Sequence, residues 1–208
     1  MRAVAVRAAL VVVALALGAG AAGGCGGDDP TLAGLVRDPA PRVDGVGLPD
    51  ASRGGEELAF RAGPGGVLLV YFGYTRCPDV CPTTMSDIRL ALDDLTADER
   101  DAVGVAVVTV DPDRDTAGLL RRYVRSFVPD GHALRTEDAR RLSDVARAFG
   151  AGYDVKRTPA GEVEVAHTAF VYAVDETGHL LVQWPFGTTW EVLRDDLRTL
   201  LSTTGGAG

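Results

Sequence analysis

Two cysteines, Cys77 and Cys81, lie four positions apart in the run Tyr71-Phe72-Gly73-Tyr74-Thr75-Arg76-Cys77-Pro78-Asp79-Val80-Cys81-Pro82. The run sits where an apolar strand gives way to a helix. The start of a helix presents unpaired amides and a partial positive charge, which favour thiolate over thiol. Arg76 is expected to add a nearby positive charge. Thiolate is the form that attacks disulfides and binds soft metals. Four-residue spacing permits the Cα separation of a disulfide, about 4.4–6.8 Å, and equally permits two sulfurs to converge on one ion. The pair can therefore switch between a disulfide and a metal-bound dithiolate.

An imidazole would complete a soft site, and the chain has three histidines. His132 follows the turn-like Pro129-Asp130-Gly131 and is expected in a solvated loop. His179 follows Gly178 in a hairpin turn and is expected to be exposed. His167 stands at the start of an apolar stretch, Thr168 to Val174, where a strand end would bring it toward the first long helix. The residues alone leave the choice open. Two thiolates and one imidazole suit Cu(I); zinc held structurally normally takes four ligands, and only three are at hand.

The elements that must position these groups read as alternating β and α. Val43 to Leu48 and Glu57 to Phe60 are predicted to be strands around Ser52-Arg53-Gly54-Gly55. Val67 to Phe72, bounded by Gly66 and Gly73, is a strand buried on both faces. Met85, Ile88, Leu92 and Leu95 form the stripe of a helix with Pro82 in its first turn and Thr83, Thr84 and Asp87 near its free amides. Val103 to Val110 is a second buried strand. Helices are predicted over Thr116 to Phe127 and Glu137 to Phe149. Thr168 to Val174 and Leu180 to Trp184 are predicted to pair across Glu176-Thr177-Gly178, and a helix over Thr188 to Leu201 closes the chain. This order is the α/β thioredoxin-like plan with an N-terminal β-hairpin added. Asp111, Arg114 and Asp115 are read as turn and cap chemistry, with the mouth of the site as the alternative. Trp184-Pro185-Phe186 is read as packing at the hairpin end.

The first 24 residues are read as an export signal: Arg2 and Arg7, the apolar run Ala8 to Leu17, then small residues up to Cys25. The pattern resembles a lipoprotein signal, with Cys25 lipidated, although Ala22 stands where Leu is usual. The arginines are not adjacent, so it is not a twin-arginine signal. Residues 25–42 are then the lipidated Cys and a flexible tether, 43–203 the thioredoxin-like domain, and 204–208 a disordered tail. The formal net charge of -8 excludes a broad phosphate-binding face, so no nucleic-acid partner is expected. Membrane attachment would come from acyl chains and not from basic residues. With Cys25 at the anchor, Cys77 and Cys81 are left as a pair in an oxidising compartment.

Three separated blocks carry a resemblance. Phe72-Gly73-Tyr74-Thr75-Arg76-Cys77-Pro78-Asp79-Val80-Cys81-Pro82-Thr83-Thr84, Val108-Thr109-Val110-Asp111-Pro112-Asp113-Arg114-Asp115-Thr116, and His167-Thr168-Ala169-Phe170-Val171-Tyr172 with Asp175 and Gly178 resemble the Sco/SenC family, in its order. The resemblance spans about Leu35 to Leu201. It implies a thioredoxin-like, membrane-tethered protein that binds Cu(I) or Cu(II) through Cys77, Cys81 and His167. It implies a role in assembling the dinuclear copper centre of cytochrome c oxidase, as copper donor, as thiol-disulfide reductant, or both. Its partners would be the copper-centre subunit of the oxidase and an upstream copper donor, met at the outer face of the bacterial cytoplasmic membrane. Ala166 departs from the acidic residue many relatives carry before this histidine. The rival readings are a general thiol-disulfide oxidoreductase without copper, a peroxiredoxin-like peroxidase and an inert disulfide. The second lacks a Thr three residues before Cys81, where Pro78 stands, and the third would gain little from so short a loop.

Overall fold

The computed structural model describes residues 31–204. Cys25 and the leader before it lie outside the described residues. In chain order the elements are β1 (Leu35–Val36), β2 (Gly47–Asp50), β3 (Glu56–Ala59), β4 (Val67–Gly73), α1 (Val80–Asp93), α2 (Ala97–Asp101), β5 (Val103–Thr109), α3 (Ala117–Phe127), β6 (His132–Leu134), α4 (Ala139–Phe149), β7 (Tyr153–Arg157), β8 (Val163–His167), β9 (Phe170–Val174), β10 (Leu180–Pro185) and α5 (Trp190–Thr204). Eight strands form one sheet in the order β1-β10-β9-β4-β5-β6-β2-β3; β7 and β8 pair in a sheet of their own. β4, β5 and β6 are parallel, and β9 runs antiparallel to β4. The expected α/β thioredoxin-like plan is the core of this sheet, and the expected hairpin of β9 and β10 turns at Gly178, whose φ of 84° suits glycine.

β4 is central because every residue of it is buried. Alternation sends Val67, Leu69 and Tyr71 to one face, against α1, α3 and α5. Leu68, Val70 and Phe72 go to the other, against α4 and the β2–β3 end. Burying each such side chain stabilises by about 1.5–3 kcal/mol. The C-terminal end of this strand is thus a rigid platform, and the cysteine loop starts there.

Several expectations need correction. The first hairpin is Gly47–Asp50 with Glu56–Ala59, shifted because a 3-10 turn at Ala51–Arg53 is capped by Asp50, whose side chain accepts from the Ser52 amide. Val43 is instead buried in loop. The tether expected up to Arg42 is docked well before that residue: β1 pairs with β10, and the Ala33 and Gly34 amides donate to the Asp196 carboxylate at 2.9 and 2.8 Å. Thr204, expected in the tail, still belongs to α5 and donates to the Gly65 carbonyl. α2 was not expected; Thr96 and Glu99 start it with reciprocal bonds. β6 places His132 in the sheet, half-buried, with Nδ1 2.7 Å from the buried Asp50 carboxylate, so it is not a solvated loop residue. Trp184 is buried and donates to Asp196 at 2.7 Å, as hairpin-end packing requires, while Phe186 is exposed.

Candidate metal centre

Cys81 is the second residue of α1 and is fully buried, packed against Tyr71 on the α1 face of the sheet. Its sulfur lies so close to the end of β4 that a Cβ on Gly73 would stand 3.2 Å from it and 2.7 Å from the Tyr71 ring. Glycine is required there by space. Cys77 is half-buried in the loop before the helix, and neither cysteine is in a disulfide. The Cys81 amide donates to the Cys77 sulfur at 3.2 Å. Asp79, at the N-cap position, accepts no helix amide through its side chain, and Thr84 donates backward to the Val80 carbonyl. So Cys77 does the capping that was expected of Thr83, Thr84 and Asp87.

This arrangement separates the two thiols. Burial pushes the Cys77 thiol up, but the Cys81 amide and thiol, the Asp79 amide and the Tyr74 hydroxyl outweigh it and set the pKa below its ordinary value. Burial pushes Cys81 up to about 12, against the nearby Tyr71 hydroxyl. The helix start therefore favours the thiolate of Cys77, outside the helix, and not that of Cys81 within it. Arg76, expected to supply charge, is exposed and makes no hydrogen bond among the described residues.

His167 arrives from an unexpected element. It ends β8 in the two-stranded β7–β8 sheet, whereas the main-sheet strand starts three residues later at Phe170. Its Nε2 lies 3.6 Å from Cys81 Sγ. Its Nδ1 lies 3.2 Å from the Thr168 carbonyl, which can only accept, so Nδ1 carries the proton and the Nε2 lone pair faces the sulfur. Burial lowers the pKa of the ring, against the pull of that carbonyl, and favours the neutral form a metal needs. The rings of Tyr71 and Tyr74 stand edge-on to it at 6.1 and 5.9 Å between centroids. The other two histidines are elsewhere: His132 on Asp50, and His179 in the β9–β10 turn against Thr177.

Cys77 and His167 line one open cleft of about 300 Å³ together with Pro78, Val80 and Ala166. Among the described residues no three metal-binding side chains already close on one point. Cys81 and His167 are in contact, and Cys77 lines the cleft with His167.

Asp111, Arg114 and Asp115 divide between the two roles considered. Thr116 caps α3, as turn chemistry requires. Arg114 pairs with Asp111 and lies over the Tyr74 ring at 5.9 Å, beside the site. Asp115 is fully buried and accepts from the Thr75 amide at 3.0 Å, the Thr75 hydroxyl at 2.5 Å and the Thr109 hydroxyl at 2.7 Å. Tyr71 and Tyr74, which sequence reasoning left among the apolar strand and loop, prove to face the thiols; a tyrosine on each side of the strand end was the available signal.

The family model described as SCO1/SenC matches residues 52–202. The chain belongs to the SCO1/SenC family. Apo Sco1 of Thermus thermophilus is similar in structure, with a TM-score of 0.71 and 32% identity, covering 82% of this chain and 97% of that one. ScoI of Bradyrhizobium japonicum, solved with copper bound, matches with a TM-score of 0.62 and 29% identity over 74% of this chain and 95% of that one. A SCO2-like protein of Rickettsia prowazekii is 32% identical over 119 residues, 56% of this chain and 57% of the relative. The chain thus spans about three fifths of the curated relatives it matches. The donor set of this SCO1/SenC chain fits the copper its Bradyrhizobium relative holds: two sulfurs of unequal acidity and an imidazole whose free lone pair faces one of them.

Proposed function

We propose that this chain binds one copper ion, as Cu(I) or Cu(II), through Cys77, Cys81 and His167, and serves the assembly of the dinuclear copper centre of cytochrome c oxidase. Its partners on this reading are the copper-centre subunit of the oxidase and an upstream copper donor. A lipid on Cys25 would hold it at the outer face of the bacterial cytoplasmic membrane. The observation that carries the reading is the Nε2 lone pair of His167 aimed at Cys81 Sγ at 3.6 Å, above a cleft that Cys77 also lines. Copper bound there would supply a soft cation for transfer between thiolate sites. The chain's own residues hold His167 against Cys81, keep the imidazole neutral, and shield Cys81 from solvent.

Anaerobic titration of the reduced protein with Cu(I) tests this. One tight equivalent is expected for the wild type, and none for His167→Ala or Cys77→Ser. A wild-type protein that binds no copper overturns the reading.

A second reading is favoured by the split between the thiols: a half-buried, more readily ionised Cys77 before a fully buried, poorly ionised Cys81 is the arrangement of a disulfide reductant. On that reading His167→Ala retains reduction of a target disulfide while losing the metal. The same variant therefore separates the two activities.

A further inference from the structure

The loop that carries Cys77 packs on the core through Tyr74 but is hydrogen-bonded beyond α1 at a single residue. β4 ends at Gly73 and α1 begins at Val80. Among the described residues, the two bonds from Thr75 to Asp115 are the only hydrogen bonds tying residues 74–79 to anything beyond α1. The remaining bonds of the loop are internal or run into α1: the Cys77 amide to the Tyr74 carbonyl, the Cys81 amide to the Cys77 sulfur, and Thr83 to Asp79.

Asp115 is itself fixed from behind. Its carboxylate accepts from Thr109 at the end of β5, and that hydroxyl in turn accepts from the Asp111 amide. Its carbonyl accepts from the Arg135 guanidinium, which also holds Pro112. The carboxylate is fully buried, and all its described bonds are to neutral donors. A buried carboxylate is costly unless well bonded, so releasing one donor strains the arrangement and rotation of the side chain is disfavoured.

We propose that Asp115 is a positioning residue for the dithiol: by clamping Thr75 it fixes the loop two residues before Cys77 and so sets how often the Cys77 sulfur meets its partners at Cys81. The inference rests on Cys77 and Cys81 being the working pair. Without the clamp, residues 74–79 pivot about Gly73 and Val80, and the effective concentration of one thiol at the other falls. The fold is not required to change.

The test measures the thiol-disulfide equilibrium of the full chain without metal, with Cys25 replaced by Ser so that one pair reacts. Two protein thiols and one glutathione disulfide give the protein disulfide and two glutathione thiols. Thr75→Val removes one bond from the loop side, and Asp115→Asn keeps an acceptor oxygen but weakens the set. Both are expected to lower the equilibrium constant for closing the protein disulfide, about tenfold for Asp115→Asn and less for Thr75→Val. The double variant should be no worse than Asp115→Asn, because both changes cut the same link.

Asp196→Asn is the control. It alters another buried carboxylate that accepts three bonds but shares none with the loop. It should cost stability and leave the disulfide equilibrium within about twofold. The clamp is overturned if Asp115→Asn leaves the constant within that range, or if Asp196→Asn moves it equally. Thr75→Val settles the matter should Asp115→Asn fail to fold: no shift there overturns the proposal too. Copper takes no part in this equilibrium, so a chain that bound no copper would refute the proposed function and leave this result standing.

Discussion

The Cys81 amide donates to the Cys77 sulfur across 3.2 Å, so the first thiol caps the helix that contains the second. A donor aimed at sulfur favours the thiolate, while burial of Cys81 disfavours it. Cys77 should therefore be alkylated first. With the metal-free, reduced protein and limiting iodoacetamide between pH 6 and 8, peptide mass spectrometry should find Cys77 modified at least about tenfold faster than Cys81. The rate at Cys77 should reach half its plateau below the ordinary thiol value, since its pKa is lowered. Equal rates at the two sites would mean that the cap does not select between them.

His167 touches Cys81 and two tyrosine rings but ends a small, separate sheet. Removing its ring costs contacts, not a core element. His167→Ala should lower stability by no more than about 1–2 kcal/mol. Copper affinity should fall at least about a hundredfold, because one of the three proposed donors is gone. Thermal melts of the metal-free protein beside competition titrations with a Cu(I) chelator check both halves. A large loss of stability with unchanged copper affinity would make His167 a packing residue.

The parts of the site legible in the sequence were those set by strong burial. Six consecutive apolar residues, Val67 to Phe72, announced a buried strand, and the Cys-x-x-x-Cys segment after it announced the loop and helix. The element that carries His167 was not legible in that way. In β7 and β8 only Tyr153, Val155, Val163 and Val165 alternate with charged or small residues, and none is buried. Strand pairing holds them, a weaker signal than a core face. His167 was singled out through the resemblance to a known family; the strand expected after it is β9, but His167 itself ends β8, which was not foreseen. Tyr74 and Asp115 act through the loop's tertiary contacts, which no local spacing reports.

Gly73 is where the strand, Tyr71 and Cys81 come closest. A methyl there would lie 2.7 Å from the Tyr71 ring, which is itself packed and nearly inaccessible. Gly73→Ala should destabilise by about 1–3 kcal/mol as the ring or the helix start shifts. The shift should also move the near-ultraviolet circular dichroism of the tyrosines and weaken copper binding. A stable variant with wild-type copper affinity would show that the approach at this glycine has slack.

Asp50 gives the fold an acid-sensitive point away from the metal centre. Burial pushes its carboxyl up, but His132 and the Ser52 and Ala133 amides outweigh that and hold the pKa below the ordinary value. A carboxyl depressed on folding stabilises fully above its unfolded value of about 3.9, and the contribution fades as pH falls through the folded value. His132→Leu removes the strongest of the lowering contacts. The protein should therefore lose stability near pH 7, the loss fading toward acid, and the acid-unfolding midpoint, read by far-ultraviolet circular dichroism, should move to higher pH. No movement of the midpoint would mean that the two amides and the Arg53 guanidinium, 3.1 Å away, suffice.

Asp196 joins the N-terminal segment to the last helix. Its carboxylate accepts from the Ala33 and Gly34 amides and from the Trp184 indole at 2.7–2.9 Å, and it is buried by what it binds. β1 itself is only two residues long and both are exposed, so its pairing with β10 cannot hold the segment by packing. Gly34 adds a geometric reason for the docking: a Cβ there would collide with Val182 and Trp184, so the backbone lies flat on the hairpin. Asp196→Ala leaves the indole without a partner and frees two amides, a loss of about 2–4 kcal/mol in all. The segment before Val43 should then become cleavable in brief proteolysis, while the spectrum of the folded domain persists. Protection of that segment in the variant would place its anchorage in the β1–β10 pairing after all. Cleavage without loss of copper binding would show that the docked strand positions the domain relative to whatever precedes it and leaves the thiols undisturbed.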